Sequence, residues 1–109
     1  MILYRLVKSD PPTVDDFKSY AELGIPIRDP TDEIAVWRSR GVSMFGTEER
    51  ARKKALAIPG IGSYIARIEF PTGDFRHERT GPPGHYTVWT QPEKLLAMVL
   101  AVTPVEPVG

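Results

Sequence analysis

The chain has 109 residues, no cysteine and only two histidines. Without cysteine there are no disulfides, no thiolate nucleophile and no cysteine-based zinc site, and two histidines among scattered carboxylates argue against a metal centre. Net charge is also missing, because fourteen Lys and Arg balance fourteen Asp and Glu. No global field draws in nucleic acid or anionic lipid, so either partner would need a local patch. Long apolar runs are absent too. The opening MILYRLVKSD is apolar for only about six residues and holds Arg5 inside that run, unlike a signal peptide or a membrane span. These absences point to a soluble cytoplasmic protein, with neither membrane nor nucleic acid as its partner.

What is present is punctuation and periodicity. Eleven prolines and nine glycines fall between periodic segments rather than in a tract, and the length suits one domain with a single core. ILYRLV (2–7) is rich in β-formers and apolar on both faces, which predicts a central, covered strand. Thr13 with Asp16 three residues on predicts a helix that turns Val14, Phe17, Tyr20 and Ala21 inward and stops at Gly24. A second helix is expected from an Asp29 cap and Pro30 in its first position, with Arg38 and Arg40 in the last turn and Gly41 as terminator. VSMF (42–45) reads as a short strand, and Thr47 opens a helix with acids first and bases after.

GSYIARIEF alternates, with Tyr64, Ala66, Ile68 and Phe70 on one face and Ile65, Arg67 and Glu69 on the other. PTGDFRHERTGPPG (71–84) is the longest irregular stretch and therefore a place to look for function. HYTVW then reads as a strand, Thr90 with Glu93 as the cap of a short helix, and VLAVTPV as a last strand. The fold class expected is α+β: a single domain, residues 1–109, with a mixed, strongly twisted sheet of about five strands and about four short helices.

Arg5 is the most informative side chain. A guanidinium between apolar neighbours on a covered strand face must find acceptors, either in an intramolecular pair or in a ligand. Ser43 lies on the short strand, where its hydroxyl would bond a ligand or the adjacent backbone. The N-terminal turn at Thr47 offers amide groups to an anion, although Glu48 and Glu49 already answer the helix dipole. Arg50, Arg52, Lys53 and Lys54 read as a solvated helix face, with a phosphate-rich partner as the weaker reading. Strand parity puts His85, Thr87 and Trp89 on one face and Tyr86 with Val88 on the other, so His85 or Tyr86 can enter a given cleft but not both. His77 reads as solvated. There is no hydrolase elbow, phosphate-loop signature or dinucleotide fingerprint.

The order of these pieces, LYRLV first, then WRSRGVSMFGTEERARKKA, then an alternating strand and a closing strand-helix-strand, resembles the ADP-ribosyltransferase-like folds, and among them a reduced RES-domain protein. The resemblance covers about half the chain. It implies an ADP-ribosyltransferase-like fold with NAD as the ligand, Arg5 on the pyrophosphate or nicotinamide-ribose side, and Phe45 with Thr47 in the strand-to-helix motif. Two departures stand out: Phe45 occupies the place of a tyrosine, and Lys54 stands about where the family carries a glutamate. Cleavage of NAD needs a carboxylate or its equivalent to stabilise an oxocarbenium-like ribose, so the resemblance with this substitution implies binding of a nucleotide-type ligand with catalysis in doubt. The rival expectation is a non-enzymatic protein-interaction module, of the kind found in small bacterial operons, that uses residues 71–84 for recognition.

Overall fold

A computed structural model describes residues 1–71 and 75–106. Its first strand, β1 (Ile2–Val7), sits inside the sheet because both of its faces are apolar and both become covered. Leu3 and Val7 face one side with Phe17, Met44, Ala66, Ile68, Val88 and Leu95, while Leu6 faces the other with Ala51, Ala55, Ile65 and Val105. The remaining strands are β2 (Val42–Phe45), β3 (Tyr64–Glu69), β4 (Arg76–Arg79), β5 (His85–Trp89) and β6 (Val99–Pro104). They assemble in the order β4-β5-β2-β1-β3-β6, and every pairing is antiparallel. The chain is an α+β domain, but its sheet is antiparallel rather than mixed and has six strands rather than five.

The additional strand is β4, which lies inside the stretch that sequence reads as irregular. Its residues Arg76, His77, Glu78 and Arg79 are all exposed. With no apolar side chain to alternate, the strand is defined by its pairing with β5, from Arg76 opposite Trp89 to Arg79 opposite Tyr86. Residues 80–84 then form the turn of a β4–β5 hairpin, in which the amide of Thr80 donates to the His85 carbonyl and the amide of His85 to the Pro82 carbonyl. Gly81 and Gly84 supply the left-handed backbone at φ 69° and 80° that this turn requires. Residues 72–74 of the expected recognition loop lie outside the described residues.

Among the described residues there are three α-helices: α1 (Glu33–Ser39), α2 (Glu48–Ala57) and α3 (Pro92–Ala97). The helix expected from Thr13 is a single 3-10 turn, Val14–Phe17. Continuation would need the Asp16 carbonyl to accept from Tyr20, but that carbonyl accepts from Arg5 Nε at 3.0 Å. The Asp16 carboxylate meanwhile accepts from the Lys8 and Thr13 amides. Phe17 still reaches the core, whereas Tyr20 stays 62% exposed instead of turning inward. Helix α1 begins later than expected, at an Asp32 cap that accepts from Ile34 and Ala35. Asp29 instead accepts from the backbone and hydroxyl of Thr31 in a local turn. Helix α2 follows the expected Thr47 cap, and α3 starts at Gln91 rather than Thr90, with Pro92 in its first turn. No helix among the described residues is long and apolar enough to cross a membrane.

Candidate functional site

The two central strands meet incompletely. β1 and β2 share one pairing position, Tyr4 opposite Phe45, and just past it a side chain takes over the link. Arg5 donates from Nη1 to the Ser43 carbonyl at 2.8 Å and from Nε to the Asp16 carbonyl at 3.0 Å. Two acceptors on different elements therefore fix the plane of the guanidinium. Burial pushes the Arg5 guanidinium down from its usual value, while the Tyr20 and Asp16 charges act in the opposite sense. No carboxylate forms an ion pair with it among the described residues. Nη2 makes no hydrogen bond there either, yet no buried side-chain nitrogen is left unpartnered, so Nη2 lies where solvent reaches it. The outcome is a half-buried cation held at two of its three nitrogens.

The remaining sequence-predicted residues divide between the two faces. Tyr86 shares Arg5's face, half-buried against the main core, with the Arg79 guanidinium carbon 6.0 Å from its ring centre. His77 lies on that face too, stacked on Phe75 at 4.5 Å between ring centres rather than freely solvated. Ser43, Phe45 and His85 present their side chains to the opposite face. Arg5, Ser43 and His85 thus do not line one cavity: Ser43 contributes its carbonyl to Arg5, and His85 stands on the other side of the sheet.

On that opposite face His85 is held in a hydroxyl network. Its Nδ1 is 2.8 Å from the Thr80 carbonyl and 3.0 Å from Thr80 Oγ1, which in turn lies 2.6 Å from Thr87 Oγ1. A carbonyl only accepts, so Nδ1 carries a proton. The ring meets Phe45 edge-on at 5.6 Å. Trp89, two positions further along, is not an open platform: Trp37 stacks on it at 4.2 Å, and its Nε1 donates to the Trp37 carbonyl. Thr47 caps α2, its hydroxyl accepting from the Arg50 amide at 3.2 Å.

The basic cluster on α2 also divides. Arg50 donates to the Pro83 carbonyl at 2.7 Å and so clamps the hairpin turn, while Arg52 donates to Val105 and binds Glu48. Only Lys53 and Lys54 remain as exposed charge of the expected kind. Beside α2 the sheet forms a cleft that the sequence did not signal, lined by Tyr4, Glu48, Ile65, Arg67, Ala101 and Thr103. Alternation placed Arg67 with Ile65 on this face, but only the strand register brings Tyr4 directly opposite Arg67 and Ala101 on its other side. Among the described residues no cluster of three His, Asp or Glu gathers to hold a metal. Compared with known proteins, the chain matches no family model, no curated protein and no solved structure.

Proposed function

We propose that this chain binds an anionic, nucleotide-type ligand such as NAD or ADP-ribose, as a reduced ADP-ribosyltransferase-like protein that does not turn it over. The observation that carries the reading is Arg5, half-buried and fixed at Nε and Nη1, with no hydrogen bond at Nη2 and no carboxylate partner among the described residues. Two donors on Nη2 remain for a phosphate oxygen, and the ordering of a long side chain, normally a cost of association, is already met by the fold. Tyr86 on the same face, with Arg79 beside it, supplies a ring and a second cation for the rest of such a ligand. Catalysis is a different matter. The nearest carboxylate, Asp16, is taken up by the Lys8 and Thr13 amides, and Lys54 is an exposed base on a helix across the sheet.

The test is calorimetric titration of the wild type and Arg5→Lys with ADP-ribose, NAD and pyrophosphate. Saturable binding by the wild type, weakened at least about tenfold when the fork becomes a single ammonium, is the expected result. Absence of wild-type binding at millimolar ligand overturns the reading.

The second reading, a protein-interaction module, is favoured by one observation: among the described residues β4 pairs with β5 alone, and all four of its residues are exposed. An extended segment of a partner could add to that edge through backbone hydrogen bonds. Binding of a partner that is lost on His77→Pro, with nucleotide affinity unchanged, would support this reading over the first.

A further inference from the structure

The cleft beside α2 encloses about 180 Å³ and carries opposite charges on its two walls. Arg67 forms no hydrogen bond or ion pair among the described residues, and Tyr4, its partner across the β1–β3 pairing, leaves its hydroxyl equally free. On the facing wall Glu48 is held back. Its Oε1 accepts from Thr103 Oγ1 at 3.1 Å and from Arg52 Nη2 at 3.3 Å, leaving Oε2 without a partner. These contacts keep Glu48 on its own wall, and no ion pair joins it to Arg67 among the described residues, so a cation and an anion line the same small space without meeting. Ile65 and Ala101 supply the apolar remainder of the lining.

We infer that this cleft binds a small zwitterion of the α-amino acid class. The ligand carboxylate pairs with the Arg67 guanidinium and the Tyr4 hydroxyl, and its ammonium group with Glu48 Oε2. Planar guanidinium and carboxylate match as a bidentate pair, which gives the carboxylate end its orientation. The cleft is small, about 180 Å³, which suits a ligand of amino-acid size. A ligand with one charge leaves the opposite wall unanswered. The inference does not depend on Arg5, which lies on the other face of the sheet.

The experiment is titration of ¹⁵N-labelled protein with L-alanine, acetate and methylammonium, followed by amide shifts at Tyr4, Glu48, Arg67, Ala101 and Thr103. L-alanine should saturate these shifts, with acetate and methylammonium each about tenfold weaker or more. Arg67→Gln, an exposed position, should keep the wild-type melting temperature and lose alanine affinity by a similar factor. Glu48→Gln retains an oxygen for Thr103 and Arg52 and should lose the same affinity, whereas Lys54→Gln, exposed and outside the cleft, should bind alanine as the wild type does. No saturation at tens of millimolar alanine would overturn the assignment. So would acetate binding as tightly as alanine, or Arg67→Gln binding as the wild type does.

Discussion

Arg5 reaches across from β1 and donates to the carbonyl of Ser43 on β2 at 2.8 Å, where the two strands share a single pairing position. A side chain thus does work that the backbone ladder does elsewhere in the sheet. The same guanidinium holds the Asp16 carbonyl, so one residue joins the centre of the sheet to the 3-10 turn that carries Phe17 into the core. Arg5→Ala should leave two carbonyls without this partner and cost about 2 to 4 kcal/mol, given the worth of hydrogen bonds to charged groups. Urea unfolding of wild type and variant measures it. A change under about 0.5 kcal/mol, the range of ordinary surface positions, would contradict the structural role.

Gly41 lies flush against β5. A β-carbon at this position would collide with Thr87 Cγ2 and come within 3.0 Å of Trp89. Gly41→Ala should therefore lower stability by about 1 to 3 kcal/mol through overpacking. It should also disturb the Trp37–Trp89 stack, which tryptophan fluorescence and near-ultraviolet circular dichroism would register.

Thr80 links two groups that face inward, the Thr87 hydroxyl and the His85 ring. Thr87 is only 4% exposed, so Thr80→Val leaves its hydroxyl without that partner at a cost of about 1 to 3 kcal/mol. The Thr80 carbonyl remains, so His85 should keep its Nδ1 proton. Thermal unfolding measures the first effect, and ¹⁵N shifts of the imidazole report the second.

Acid should act on the turn before α1. Hydrogen bonds from the Thr31 hydroxyl and backbone hold the Asp29 carboxyl below its ordinary value. A carboxyl lowered in the folded state contributes stability that is present above its unfolded value and lost as pH falls through its folded value. Thr31→Val removes the hydroxyl donor, so a carboxyl-detected NMR titration should find the Asp29 midpoint shifted upward in the variant. An unchanged midpoint would refute the hydroxyl as its cause.

Those elements that are built from their own side chains were legible in sequence. β1 announces itself by apolar residues on both faces, α2 by its Thr47 cap, and β3 by alternation that sorts Ala66 and Ile68 from Ile65 as the two cores do. What escaped depended on partners distant in the chain. β4 has no apolar pattern and exists because β5 pairs with it. The first helix stops at Phe17, where the chain turns extended at Lys18 and the Asp16 carbonyl accepts from Arg5, eleven residues before it. Sequence singled out Arg5 as needing acceptors, and it has them, but as backbone carbonyls rather than a carboxylate. The facing of Tyr4, Arg67 and Glu48 around one cleft follows from strand register, which no local pattern displays.

The strand order β4-β5-β2-β1-β3-β6 bears on how the chain is made. Of the six strands β1 is synthesised first, but both of its neighbours belong to later segments, β2 from Val42 and β3 from Tyr64. At roughly 5 to 20 residues per second, Leu3, Leu6 and Val7 wait several seconds on the ribosome for the strands that will cover them. A polypeptide halted before Tyr64 carries an apolar strand with one side bare. Such a fragment is a client for chaperones and proteases rather than a smaller working domain.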